Sequence, residues 1–459
     1  MNFHPTHLRV NPVTELKGKA VIPSSKPETQ RAILAATLAK GRSRIDNDLR
    51  CVETTTMKDA CRAIGAIIHE HEGYLEIDGV GRDLKAGKYV IDALGSGLVF
   101  RVLSALTCFS STATVISGDA VLRGRVMAPL FDALSQLGAN IEYVGDEGKA
   151  PIVNWGGGLR GGRCTLPGNV SSQFVTAVMF AAPLADAATE IVIEGEILSI
   201  SYIRQTVAAL RQAGITVDVS EDFARIVVHP GHYQPAHYQV YGDYTSSSYL
   251  IGAATLFQGT TVFGNINSTS LQGERAIIDV VKALGLTVQF DDVRHTLTLT
   301  NPYPQLRGDF EFDASDFPNI VPTLAAIGAH VQGTFRVIGA SITRLHKSPR
   351  VKAIVAELSK MGVDIRALFR DGVYDGFEIR GHGETYAGDV TLSSWGDHRI
   401  FMSLFMASLR SKQPNLLDGY QDVNCSFPDF LSQFQGLGVS YTEVEPAQTA
   451  DTDGSLHSA

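Results

Sequence analysis

The sequence predicts an α/β (α+β) fold in which one βαβαββ unit is repeated six times and divided between two domains. Two patterns that keep step with each other predict it. In the first, an amphipathic helix ends in a glycine that leads into a short alternating strand. The glycines are Gly65, Gly138, Gly214, Gly285, Gly362 and Gly438, spaced 71–77 residues apart. Glycine just past a helix takes the left-handed conformation that ends it without steric cost. In the second pattern, small and polar residues precede a β-branched strand, at 41–45, 112–116, 188–193, 259–263, 333–337 and 414–417. Units of this length exceed the periods of helical solenoids, so six of them read as two pseudo-threefold domains of three. The polar stretch 233–244 places the crossover between the third and fourth units, with a first domain at 21–240 and a second running to 445. The polar segment 446–459 reads as a disordered tail.

Composition narrows the function. The chain has 459 residues, 44% hydrophobic and 19% charged, with a net charge of −9. That balance suits a globular protein with sizeable cores. It argues against nucleic acid or a membrane as partner, and an anionic ligand would need a local basic pocket. Five cysteines, odd in number and without a CxxC pair, argue against a disulfide framework or zinc site and suit a reducing cytoplasm. The start carries no apolar signal core, and no apolar run reaches membrane-spanning length. The thirteen histidines form no ligand-spaced cluster. No metal or cofactor is expected, and a monomer is.

The stretch 168–174, Gly-Asn-Val-Ser-Ser-Gln-Phe, offers two hydroxyls and an amide just before a buried apolar run. A helix N-terminus presents unpaired N–H groups and the positive end of the macrodipole. Ser171 and Ser172 there serve either as an N-cap or as neutral ligands of a phosphate. The cations Lys26, Arg31, Arg350 and Arg399 favour the second reading. They are scattered in sequence but fall in loops before helices of different units, and arginine grips carboxylates and phosphates through paired hydrogen bonds.

These motifs resemble the 5-enolpyruvylshikimate-3-phosphate synthase family, within the wider enolpyruvyl transferases. Val170-Ser171-Ser172-Gln173-Phe174 is similar to that family's phosphate-binding motif. Ser25-Lys26-Pro27 through Arg31 resembles its Lys-containing N-terminal motif, which makes Lys26 the phosphoenolpyruvate-side lysine and puts Arg31 on the carboxylate of the first substrate. Arg101 matches the arginine that closes a further motif, and Ser199 and Tyr202 match the serine and tyrosine completing the first-substrate site. Arg350 and Asp397-His398-Arg399 match the arginines that hold phosphoenolpyruvate, with His398 a structural member of its loop. The resemblance implies two inside-out α/β barrel domains closing over a sandwiched site, with residues 1–20 returning to the second domain. It implies a phosphorylated small molecule and phosphoenolpyruvate as ligands.

The chain departs from the family pattern where protons move. Asn319, in Phe317-Pro318-Asn319, stands where the family has a catalytic aspartate; it can hydrogen-bond a ring hydroxyl but cannot act as a general base. His346-Lys347-Ser348-Pro349-Arg350 replaces a segment with a glutamate, so His346 and Lys347 become the candidates for handling protons, or Lys347 is another phosphate-binding cation. Val121 replaces an arginine on the phosphoenolpyruvate side, with Arg123 and Arg125 nearby. Three functions follow: a divergent carboxyvinyl transferase acting on shikimate 3-phosphate or a related acceptor, a lyase expelling phosphate from such a compound, or a non-catalytic ligand-binding relative.

Overall fold

The computed structural model describes residues 7–85, 90–383 and 385–445; the expected tail at 446–459 lies outside the described residues. Its strands form six four-stranded sheets with one repeated arrangement. In the third unit, Gly162–Pro167 runs parallel to Thr189–Glu194. That strand is antiparallel to Arg225–Val228, and Val217–Val219 lies at the edge. The second and fifth units repeat this order from contiguous chain. The other three are completed from a distance. His237–Gln239 runs parallel to Lys40–Asp46 in the first sheet. Lys19–Val21 runs parallel to Gly259–Gly264 in the fourth. His7–Val10 pairs antiparallel with both Asn415–Leu417 and Tyr441–Val444 in the sixth. The chain therefore passes between its two halves twice, after Val21 and after Gln239.

Buried apolar residues separate along the same line. One cluster runs from Ala32 to Val240; the other joins residues 8–22 to 244–439. The helix that follows the first strand of each unit lies inside the ring of sheets. Val321–Gly328 and His398–Ser408 are buried at every residue, as expected of helices that are apolar all round. With Tyr244–Thr255 they pack pairwise on one another. A Cβ at Gly252 would lie 2.7 Å from Met406 Sδ and 3.2 Å from Thr323 Cγ2, so glycine permits the close three-helix approach. The six glycines of the repeat have φ between 80° and 108°.

The inner helices start alike, and that positions the site. Ser25, Ser96, Ser171, Asp243 and Asp397 each accept a backbone N–H of the helix they open, satisfying donors the helix cannot. The fifth unit enters its helix through the turn Pro318–Ile320 instead. No described helix is long and apolar enough to cross a membrane.

Candidate active site

Helix N-termini from both halves open onto one cavity of about 590 Å³. From the first half its wall takes Lys26, Arg31, Arg101, Arg125, the run Ser171–Ser172–Gln173, Ser199 and Tyr202. From the second it takes Asn319, His346, Lys347, Arg350, His398 and Arg399. Among the described lining residues eight are lysine or arginine and two, Glu53 and Asp119, are acidic. This is the local basic pocket that an acidic chain needs to hold an anion. Two expected site residues do not line it. Arg123 ends the short helix Ala120–Arg123 with its side chain exposed, while Arg125, two residues on, turns inward. Asp397 is buried beneath the wall as a helix cap and ion-pair partner.

Ser171 accepts the Gln173 N–H at 3.3 Å and is the N-cap; Ser172, the first helical residue, faces the cavity with it. The cap therefore does not take Ser172 away from the cavity. Gln173 accepts a hydrogen bond from Arg101. A Cβ at Gly97 would come within 2.9 Å of Arg125 Nη1 and 3.0 Å of Arg101 Nη1, so the glycine makes room for two guanidinium groups. Nε of each is buried with no partner among the described residues. Burial, together with neighbouring cationic charge, lowers the pKa of both. Unpaired buried donors on desolvated guanidinium groups are what an entering anion would relieve.

Ser199 holds a left-handed conformation, φ 59°, unusual for a residue with a Cβ. Its N–H donates across the halves to the Ser315 carbonyl at 3.0 Å, and Ser201 N–H donates to Asp316 Oδ1 at 2.8 Å. Local strain is thus held by contacts from the opposite half. Arg31 lines the cavity and is also held by its own half of the protein. Its donors go to Thr206 Oγ1 at 3.0 Å, the Pro27 carbonyl at 3.1 Å and the Tyr202 carbonyl at 3.0 Å. It braces the backbone under Tyr202 while still lining the cavity.

On the opposite wall Arg350 is the organiser. Nε donates to Asp397 Oδ2 at 2.8 Å, and Nη1 donates to Asn319 Oδ1 at 2.9 Å and to His346 Nδ1 at 2.8 Å. His346 is therefore not the near-neutral titrating group its residue type suggests. Desolvation, then Arg350, holds its pKa well below the ordinary value, and its Nδ1 is already accepting. His398 is likewise kept neutral by burial and by Arg399. Burial works to raise the Asp397 pKa, but the charge of Arg350, with hydrogen bonds from Arg350 and from the Arg399 N–H, overrides it and keeps the carboxylate ionised.

Lys26 pairs with Glu53 at 2.9 Å. Burial disfavours its charge, yet Glu53 and weaker partners more than offset this, and its pKa is raised. Glu53 was not foreseen from sequence, nor was Glu274, whose Oε1 accepts from Tyr202 Oη at 2.7 Å and from Asn319 Nδ2 at 3.0 Å. The repeat could have found both. Each opens the second helical segment of its unit, the position that supplies Tyr202 in the third unit and Arg350 in the fifth.

The chain is 34% identical to the 3-phosphoshikimate 1-carboxyvinyltransferase of Halobacterium salinarum, over 98% of this chain and 100% of that one. It is 32% identical to the enzyme of the same name from Methanococcus maripaludis, over 94% of this chain and 98% of that protein. Among solved structures it is similar to the EPSP synthase of Acinetobacter baumannii, with a TM-score of 0.80 and 25% identity over 95% of this chain and 100% of that chain. The sequence model of EPSP synthase (3-phosphoshikimate 1-carboxyvinyltransferase) matches residues 10–434, and with a shared fold over the same length the chain belongs to the EPSP synthase family.

Proposed function

We propose that this chain transfers the carboxyvinyl group of phosphoenolpyruvate to a hydroxyl of shikimate 3-phosphate or a related phosphorylated small molecule. The observation that carries the proposal is the meeting, in one cavity, of Ser171, Ser172 and Ser199 with Lys26, Lys347, Arg350 and Arg399. Neutral hydroxyls at a helix N-terminus suit the acceptor's phosphate, and the cations suit a donor that carries a phosphate and a carboxylate. Residues 23–240 form the acceptor-side domain in this scheme, the boundary moved from 21 because Val21 pairs with, and Ile22 packs into, the other half. Residues 7–22 with 241–445 form the donor-side domain.

Transfer requires the acceptor oxygen to bond C2 of phosphoenolpyruvate while C3 gains a proton. Phosphate then leaves C2 as C3 loses one. Lys26, kept protonated beside Glu53, is the group assigned to C3: it gives the proton on addition and takes one back on elimination. Asn319 and His346 cannot take the acceptor's proton, the first because it is an amide and the second because Arg350 occupies its Nδ1. Lys347 serves as a cation for phosphate.

A phosphate-release assay with shikimate 3-phosphate and phosphoenolpyruvate, together and singly, tests this. Release that needs both compounds is expected. Release from shikimate 3-phosphate alone would make the chain a lyase, and no turnover of the pair would end the transferase reading. Ser172→Ala leaves the Ser171 cap intact. It is expected to raise the acceptor KM about 10- to 100-fold, since a hydrogen bond to a charged group contributes about 1.5–3 kcal/mol. The phosphoenolpyruvate KM should stay within about twofold in the same steady-state kinetics.

A further inference from the structure

The transferase reading leaves the acceptor's proton without a destination, and the wall of the cavity offers one. We propose that Glu274 receives that proton through the hydroxyl of Tyr202, as a positioning and relay residue behind the cavity. The inference rests on the proposed carboxyvinyl transfer and deepens it.

Glu274 lies in the turn Gly273–Ala276 and is 1% exposed. Its position differs from those of two other carboxylates near the site. Glu53 is paired with Lys26, and Asp397 with Arg350. Among the described residues no lysine or arginine bonds Glu274; its side-chain partners are Tyr202 and Asn319, both neutral. Tyr202 faces the cavity on one side and Glu274 on the other. Asn319 Nδ2 donates to Tyr202 Oη at 2.6 Å while Tyr202 donates onward to Glu274 at 2.7 Å. A phenolic oxygen accepts twice, so one lone pair remains for a hydroxyl within the cavity. Asn319 is itself fixed, because its Oδ1 accepts from Arg350 at 2.9 Å. The amide thus orients the relay it cannot replace.

The proton bookkeeping closes. As the acceptor oxygen bonds C2, its O–H breaks and the proton moves to Tyr202 Oη. The proton already on Tyr202 moves to Glu274 Oε1 in the same event. Tyrosine is neutral before and after, which matters because burial makes tyrosinate unfavourable here. Glu274 becomes a neutral acid, a form its burial already favours. When phosphate leaves C2 the proton returns through Tyr202 to a phosphate oxygen. The titratable groups facing Glu274 are Tyr202 and Asp243; Asp243, as a like charge, also favours uptake.

Three variants of the full chain test the proposal, each assayed with phosphoenolpyruvate and shikimate 3-phosphate. Glu274→Gln is expected to lower kcat about 10²–10⁴-fold, the usual cost of a lost acid–base group, with both KM values within about threefold. Tyr202→Phe should reproduce the fall with Glu274 in place, and serves as the measurement if Glu274→Gln fails to fold. Adding Asn319→Asp to Glu274→Gln returns a carboxylate to the relay from the opposite side and should recover at least about tenfold in kcat, which a merely structural role for Glu274 would not allow. A kcat within threefold of wild type in Glu274→Gln or in Tyr202→Phe overturns the relay, as does a double variant no faster than the single one. Wild-type turnover alongside either result leaves the transferase reading standing, whereas a wild-type chain without turnover removes both.

Discussion

Arg350→Met should slow carboxyvinyl transfer by about 10²–10³-fold and at the same time destabilise the fold, because one guanidinium does both jobs. Its Nε is paired with Asp397, whose side chain is 0% exposed against 5% for Arg350. Removing one member of a buried pair strands the other, at a cost of about 3–5 kcal/mol. Asp397 keeps bonds from Ser348 Oγ at 3.1 Å and from the Arg399 N–H at 2.9 Å, but these are dipoles and not a counter-charge. The remaining donors of Arg350 face the cavity through Asn319 and His346. Their loss should lower kcat/KM by about 10²–10³-fold, the scale for removing one preorganised electrostatic contact. A second substitution separates the two effects. Arg350→Met with Asp397→Asn removes the stranded charge and should regain most of the stability, read as the urea midpoint, without regaining turnover. A single variant within about 1 kcal/mol of wild type would show that Asp397 does not depend on Arg350.

The repeat was the most legible feature of the chain because it is written in backbone chemistry. A left-handed turn after a helix needs glycine, so six such glycines mark six units at a fixed step. The distant strands at 7–10, 19–21 and 237–239 carry no such mark, since three or four residues of strand look like loop. The cations were legible as a set once loops before helices were picked out. What they do individually was not. Arg123 and Arg125 are equivalent in composition, and only the short helix ending at Arg123 decides which one turns inward. His346 shows the same limit: its residue type suggests a neutral-pH proton carrier, while desolvation and three neighbouring arginines set the opposite. Arg31 was read as a ligand-binding cation, and that reading gave no sign of the partners on the helix Ile200–Gln212 that also hold it. Glu274 went unseen because a lone acid in a polar turn has no local signature. It becomes visible only when the units are laid over one another and the opening of each second helix is compared.

Glu28→Gln should make the protein more stable at pH 8 and nearly neutral in effect at pH 5. Glu28 lies in the first turn of Lys26–Leu38, and its Oε1 accepts from Gln272 Nε2 at 3.0 Å, joining the two halves near the crossover. Burial, offset in part by the Gln272 bond and by Arg31 and reinforced by Asp243, raises its pKa from 4.5 to about 7. A carboxyl whose folded pKa is raised contributes stability that is fully present below the unfolded value and lost as pH climbs through the folded one. The window is therefore about pH 4.5 to 7. A shift of that size corresponds to about 3 kcal/mol; Glu28 keeps part of its surface in water, so about 2 kcal/mol is expected. Glutamine keeps an oxygen for Gln272 and never ionises, so the variant should lack this loss. The measurement is the difference in urea midpoint between variant and wild type at the two pH values, which cancels every other titrating group. An equal difference at pH 5 and pH 8 would refute the assignment. Because the Glu28–Gln272 bond spans the halves, separating them also returns Glu28 to water. Ionisation above pH 7 should then favour opening of the cavity by the same sign as it favours unfolding.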